Sequence, residues 1–227
     1  MQLSKRTLDI LKNYSNINEG IVIKTGNVIS TVSGTKSVLA IAKIDESFEN
    51  QAAFANLNIL LSVLDKSSPE ADFTEKSVVI KSKYGKDTIK YASPEVIVTP
   101  SDQMETKLSK LKAVLKFELN KDQLDNVLSK ANIMGLPHIV VLPEDGNVIL
   151  RAIDRENSST NTSDVIVGEY SEDADFRFFF LRDNFKMLPD SYEVSVYKEN
   201  VAKFASKTQD LTYFVALEAK GSYYKAG

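Results

Sequence analysis

The apolar and polar positions of the chain fall into two trains of the same order, which is the first thing to look for in a sequence of this length. The first opens with Leu3-Ser4-Lys5-Arg6-Thr7-Leu8 and Leu11, then gives Gly20-Ile21-Val22-Ile23, a turn, and Gly26-Asn27-Val28-Ile29. The second opens with Leu119-Asn120-Lys121-Asp122-Gln123-Leu124, Val127 and Leu128, reaches Leu136 through Val141, and repeats Gly146-Asn147-Val148-Ile149. Each train predicts a helix, a strand, a tight turn and a second strand. Ser4 and Asn120 suit N-caps, because their side-chain oxygens accept from free N–H groups of a first helical turn. Leu3 and Leu119 stand where a hydrophobic staple packs. The Gly-Asn pairs between apolar runs predict a hairpin in each half.

Further alternating runs predict strands near 36–44, 77–84 and 87–92, then 148–154, 163–170, 175–181, 191–198 and 211–218. A second helix is predicted in each half. One is the apolar stretch that Asn56 starts and that runs to Leu64; the other runs from Arg182 to Leu188 and is stopped by Pro189. The stretch 93–112 holds Pro94, Pro100 and many polar residues and reads as a connector. The fold class expected is α+β: two similar domains, 1–109 and 110–227, each an antiparallel sheet carrying two helices.

Composition narrows the chemistry. The chain has 227 residues and 43% apolar content, enough for a large core or two ordinary ones. It has no cysteine, which removes disulfides, thiol catalysis and cysteine-based zinc sites. Its only histidine, His138, lies in the apolar run 136–142, where a structural role outweighs that of a general base. Glu169, Glu172, Asp173 and Asp175 resemble a hard-cation cluster, as Asp45-Glu46 does on a smaller scale, but acidic turns between strands are ordinarily solvated. No phosphate-binding glycine loop or nucleophile elbow occurs. The expectation is a protein without catalytic residues, metal or cofactor. No apolar run is long enough for a signal peptide or a membrane span, so a cytoplasmic protein without membrane contact is expected.

The net charge is −3, so attraction to nucleic acid cannot be a property of the whole surface. It must be local. Projected at 100° per residue, the first helix puts Thr7, Leu8, Ile10, Leu11 and Tyr14 on one side and Lys5, Asp9 and Lys12 on the other, with Arg6 at the edge. On the helix that starts at Lys121, Lys121 and Lys130 border a mixed polar face. Lys66, and the pair Arg182 and Lys186, are further basic patches. A solvated helix face is the default reading of all these charges.

Leu3-Ser4-Lys5, Leu11-Lys12-Asn13-Tyr14, Ile17-Asn18-Glu19-Gly20-Ile21, Ala202-Lys203-Phe204 and Tyr213-Phe214-Val215-Ala216-Leu217-Glu218-Ala219 follow one another in an order that resembles the sliding clamps of T4-type bacteriophages. The resemblance spans nearly the whole chain and is closest at its ends. It implies a homotrimer closed head to tail through edge strands around double-stranded DNA, with sheets outside and helices inside. It implies that Lys5, Arg6 and Lys12 face the hole, and that Lys66, Lys121, Lys130, Arg182 and Lys186 are further candidates. Ser129 and Asn132 stand where more positive charge is expected, so the second domain departs from that pattern. The partners implied are DNA polymerase, a clamp loader and late-transcription sigma-like and co-activator proteins, in the cytoplasm of an infected host. Ile97, Val98, Pro100, Tyr223 and Tyr224 are the candidate docking residues; a strand end and a frayed tail explain them as well. A β-rich phage structural protein is the alternative.

Overall fold

A computed structural model describes the chain except residues 67–69, Asp102, Ser158, Glu172 and the side chain of Glu105. It divides into two compact units, Met1–Met104 and Glu105–Gly227. The short helix Met104–Ser109 spans the division.

Unit 1 begins with α1 (Lys5–Ile17). Ser4 caps it as its residue type predicts, its hydroxyl accepting from the Thr7 N–H. The buried face is Thr7, Ile10, Leu11, Asn13, Tyr14 and Ile17, while Leu8 stays half-buried. The strands are β1 (Ile21–Ile23), β2 (Gly26–Val32), β3 (Val38–Phe48) and β4 (Ala52–Phe54), then α2 (Leu57–Lys66), β5 (Ala71–Phe73), β6 (Ser77–Ser82) and β7 (Gly85–Lys90). β1 pairs with β4 and β2 with β3, both antiparallel. β5, β6 and β7 form a separate antiparallel sheet.

The expected hairpin at Gly26-Asn27 is therefore corrected. A two-residue reversal of the favoured hand needs positive φ at its central residues. Lys24 and Thr25, which link β1 to β2, are not among the residues with positive φ, and β1 turns to β4 instead.

Unit 2 comprises β8 (Ala113–Leu119), α4 (Lys121–Ile133; the helix Met104–Ser109 is α3), β9 (His138–Glu144), β10 (Asn147–Ile153), β11 (Ser163–Glu169), β12 (Asp175–Leu181), β13 (Tyr192–Tyr197), β14 (Val201–Ser206), β15 (Leu211–Ala216) and β16 (Tyr223–Lys225). One antiparallel sheet has the order β11-β10-β9-β12-β16. In a second, β8, β13, β14 and β15 pair in succession. Asn120 caps α4 in a full capping box with Gln123.

Here the hairpin expected around residue 146 does form, with Glu144 opposite Asn147. The turn is Asp145-Gly146 rather than Gly-Asn, with φ of 50° and 75°. That dipeptide is the one a two-residue reversal favours, since both central residues must take φ above zero.

The expected second helix of unit 2 shrinks to one turn of 3₁₀ helix, Arg182–Asn184. The next residues are committed elsewhere. The Phe185 ring packs edge-on against Phe180 and Phe204, at 5.4 and 5.8 Å between centroids. The Leu188 N–H donates to the Tyr213 hydroxyl at 3.2 Å, and its carbonyl accepts from the Tyr192 hydroxyl. A helix continued to Leu188 would need that N–H for the carbonyl of Asn184.

Candidate nucleic-acid interface

The surface of α1 divides by what each cation does. Lys5 and Lys12 are exposed, and neither enters an ion pair among the described residues. They flank an open groove of about 510 Å³ lined also by Gln2, Leu3, Ser4, Leu8 and Asp9. Arg6 is held differently. Its guanidinium donates to the Asp45 carboxylate at 3.1 Å and to the Lys43 carbonyl at 2.8 Å, both on β3. That draws its charge back onto the sheet of its own unit and away from the face that Lys5 and Lys12 present.

The acidic pair Asp45-Glu46 serves this helix. Glu46 accepts hydrogen bonds from the Ser4 N–H and the Thr7 hydroxyl, holding a carboxylate at the positive end of α1. Burial pushes its carboxyl up, but the hydrogen bonds from Thr7 and Ser4 outweigh that and hold it below the usual glutamate value.

In unit 2 the predicted cations are scattered in role. Lys121 forms an i,i+4 pair with Asp125 at 2.5 Å, and that hydrogen bond raises its pKa. Lys130 is exposed and enters no ion pair among the described residues. Arg182 caps the end of α4: its Nη1 lies 3.5 Å from the Ala131 carbonyl and 3.3 Å from that of Leu136, and Asp183 holds the other nitrogens. Its guanidinium is thus engaged by one carbonyl of α4, one just beyond it and the Asp183 carboxylate. Lys186 is exposed and partnered, and Lys66 is exposed at the end of α2.

The start of the connector is fastened to unit 1. The Ala92 N–H donates to the Ala53 carbonyl at 2.9 Å, and Asn18 Nδ2 donates to the carbonyls of Val32 and Val98, both at 3.0 Å. Ile97 is 9% exposed and anchors the connector on unit 1. A Cβ added at Gly20 would meet Ile97 Cγ2 at 3.2 Å and the Ala55 carbonyl at 3.3 Å, so a larger residue there would have to push these neighbours back by a few tenths of an ångström. The apolar surface left to a partner is Val96, 73% exposed, and Val98, 45% exposed, with Pro100 half-buried. Sequence reading named Val98 and missed Val96, which ends the single 3₁₀ turn Pro94–Val96.

Tyr223 and Tyr224 are not frayed. They lie in β16 against β12, the Tyr223 hydroxyl donating to Asp175 at 3.0 Å and the Lys198 ammonium standing 5.1 Å from the Tyr224 ring. His138 is buried edge-on to Phe179, and its Nδ1 has no hydrogen-bond partner among the described residues. Burial lowers its pKa, and the nearby Arg155 lowers it further. Of the acidic residues first set aside as a cation cluster, Glu172 lies outside the described residues. Among the described residues no group of three or more His, Asp or Glu is arranged to hold a metal ion.

Residues 116–219 match the family described as gp45 sliding clamp, C terminal. The whole chain is similar to a sliding clamp of Vibrio phage KVP40, 34% identical over 223 residues and covering 96% of this chain and 100% of that protein. It is 26% identical to the sliding clamp of Enterobacteria phage T4, over 98% of this chain and 99% of the other. Among solved structures it is similar to a Helicobacter pylori beta clamp bound to a DNA ligase peptide, with TM-score 0.71, 12% identity, and 96% of this chain covered against 64% of that one. It is similar also to an A. fulgidus PCNA bound to the C-terminal region of FEN-1, with TM-score 0.68, 9% identity and 96% of each chain covered. At such identities these two likenesses speak to fold alone.

Proposed function

We infer what this protein does from one premise: the chain belongs to the phage sliding-clamp family. It is a DNA sliding clamp that tethers the replicative polymerase to its template for processive synthesis. The observation that carries this is the 34% identity to a sliding clamp along essentially the full length of both chains. Around it stand the finer readings. Three copies close head to tail around duplex DNA, and the protein acts by enclosure rather than by catalysis.

Lys5 and Lys12 face the duplex, with Lys130 and Lys66 as further contacts of the same kind. Ammonium groups on flexible stems suit contact with phosphates, which carry no sequence information, and such contacts let a ring move along DNA. Retention then comes from topology, so the cations need not bind tightly. The net charge of −3 discourages adhesion elsewhere on the surface. Polymerase and clamp-loader tails dock on the apolar strip at Val96 and Val98; late-transcription proteins share it.

Light scattering together with retention on circular DNA tests the reading. The expected result is a species of three times 25.2 kDa that stays on a DNA circle after treatment with a loader and ATP and leaves when the circle is cut. A long polymer or a monomer indifferent to DNA topology would instead support a structural role in the virion.

A further inference from the structure

After β15, residues 217–225 form a strap along β12 that is fastened at two points to one residue. The Glu218 N–H donates to the Phe179 carbonyl at 2.7 Å, and the Phe179 N–H donates to the Ser222 hydroxyl at 2.9 Å. β16 then pairs with Asp175, Phe176 and Arg177. The strap thus takes up the edge of β12 that faces away from β9, where backbone groups would otherwise stay open.

Arg155, just beyond β10, holds the arch between those two points. Its guanidinium lies 5.5 Å from the centre of the Phe179 ring, its Nη1 donates to the Lys220 carbonyl at 2.7 Å, and its Nη2 stands 4.0 Å from the Glu218 carboxylate. Gly221 crosses the same ring with φ of 93°; a Cβ there would meet Phe179 Cδ2 at 3.4 Å and Arg155 Cδ at 3.8 Å. Edge-on to that ring, at 6.4 Å between centroids, stands His138. It is 6% exposed, and its Nδ1 has no hydrogen-bond partner among the described residues.

We propose that His138 and Arg155 form a proton-operated latch: the strap lies closed on β12 while His138 is neutral and opens when His138 takes up a proton. An imidazolium has two N–H donors, and in the closed arrangement Nδ1 finds no acceptor. A buried cation without a partner is costly. The charges that face it are Arg155, which repels it, and Asp154, Glu156 and Glu218, which attract it. Burial is the largest influence and Arg155 the next, so the closed strap favours the neutral ring. Arg155 cannot retreat without giving up the Lys220 carbonyl, whereas opening of the strap admits water to both cations. The outer edge of β12 is therefore covered at neutral pH and bare in acid.

With the strap open, His138 titrates at the ordinary histidine value of 6.5; with the strap closed, it titrates lower. Closure is complete above pH 6.5, and its equilibrium constant falls about tenfold per pH unit below that until the closed-state value is reached. The chain has one histidine and no cysteine, so both halves of the latch can be followed in the full-length protein. The imidazole Cε1–H resonance reports the proton. A trifluoromethyl tag on Ala226→Cys reports the strap by fluorine NMR, and both are recorded between about pH 8 and about pH 5.

The two signals should move together, with one midpoint below 6.5. Ser222→Ala removes one fastening of the strap and should raise that midpoint toward 6.5, and His138→Gln should leave the tag signal flat. A tag that stays still across the range, whether or not the imidazole titrates, overturns the latch, as does an unmoved midpoint in Ser222→Ala. A tag transition that survives in His138→Gln overturns it too and assigns the acid response to Asp154, Glu156 and Glu218. Every group of the latch lies in unit 2, so none of these failures touches the ring reading.

Discussion

At the scale of single residues, the decisive contrast is between three cations on one helix. Lys5 and Lys12 are exposed and unpaired among the described residues, while Arg6 is fastened to Asp45 and the Lys43 carbonyl. Lys5→Glu with Lys12→Glu should therefore leave thermal stability within about 0.5 kcal/mol of wild type while shortening the lifetime of the protein on circular DNA. Arg6→Ala should do the reverse, losing about 1 kcal/mol of stability, because it removes a charged hydrogen-bond pair, with retention nearly intact. Differential scanning fluorimetry and a retention assay on the same samples measure both. Equal loss of retention in the two variants would return Arg6 to the hole-lining set. The contrast was not legible in the sequence, where the three cations differ only by helical angle. The partner that diverts Arg6 lies 39 residues away, and only the packing of α1 on β3 brings them together.

At the scale of elements, what was legible was local. Ser4 and Asn120 cap their helices because an N-cap is decided within three residues, and the Asp145-Gly146 reversal follows from two φ angles. The segment after Arg182 misled because the tyrosines that bind the backbone of Leu188 stand on β13 and β15. His138 belongs to the same class: its run reads as a strand, but its burial comes from tertiary packing. Burial and Arg155 hold its folded pKa below the ordinary histidine value of 6.5. The unfolded chain then binds the extra proton first, so this contribution to stability is complete above pH 6.5 and is lost as the pH falls toward the folded pKa. Urea unfolding between about pH 8 and about pH 5 should show that decline, and His138→Leu should flatten it. An unchanged slope in that variant would move the acid sensitivity to the carboxylates.

At the scale of the molecule, the clamp family was legible in the order of motifs along the chain, and the ring is the reading proposed from it. The partner surface was legible only in part, because exposure rather than residue type separates an anchor from a contact. Ile97, Val96 and Val98 are all β-branched and apolar, yet the first is 9% exposed and the others 73% and 45%. Val96→Asp with Val98→Asp should place two charges in solvent at little cost to the fold, while a carboxylate brought against an apolar polymerase tail must be desolvated without a partner. A loss of about 1–3 kcal/mol of binding, or tenfold to a hundredfold in affinity, follows at this strip. Ile97→Asp serves as the opposite control, since it buries a charge beside Gly20 and should lower the melting temperature of unit 1 before any partner is added. Titration of the variants with a fluorescent peptide from the polymerase C-terminus decides the matter. Unchanged affinity in the double valine variant would move the docking site off the connector.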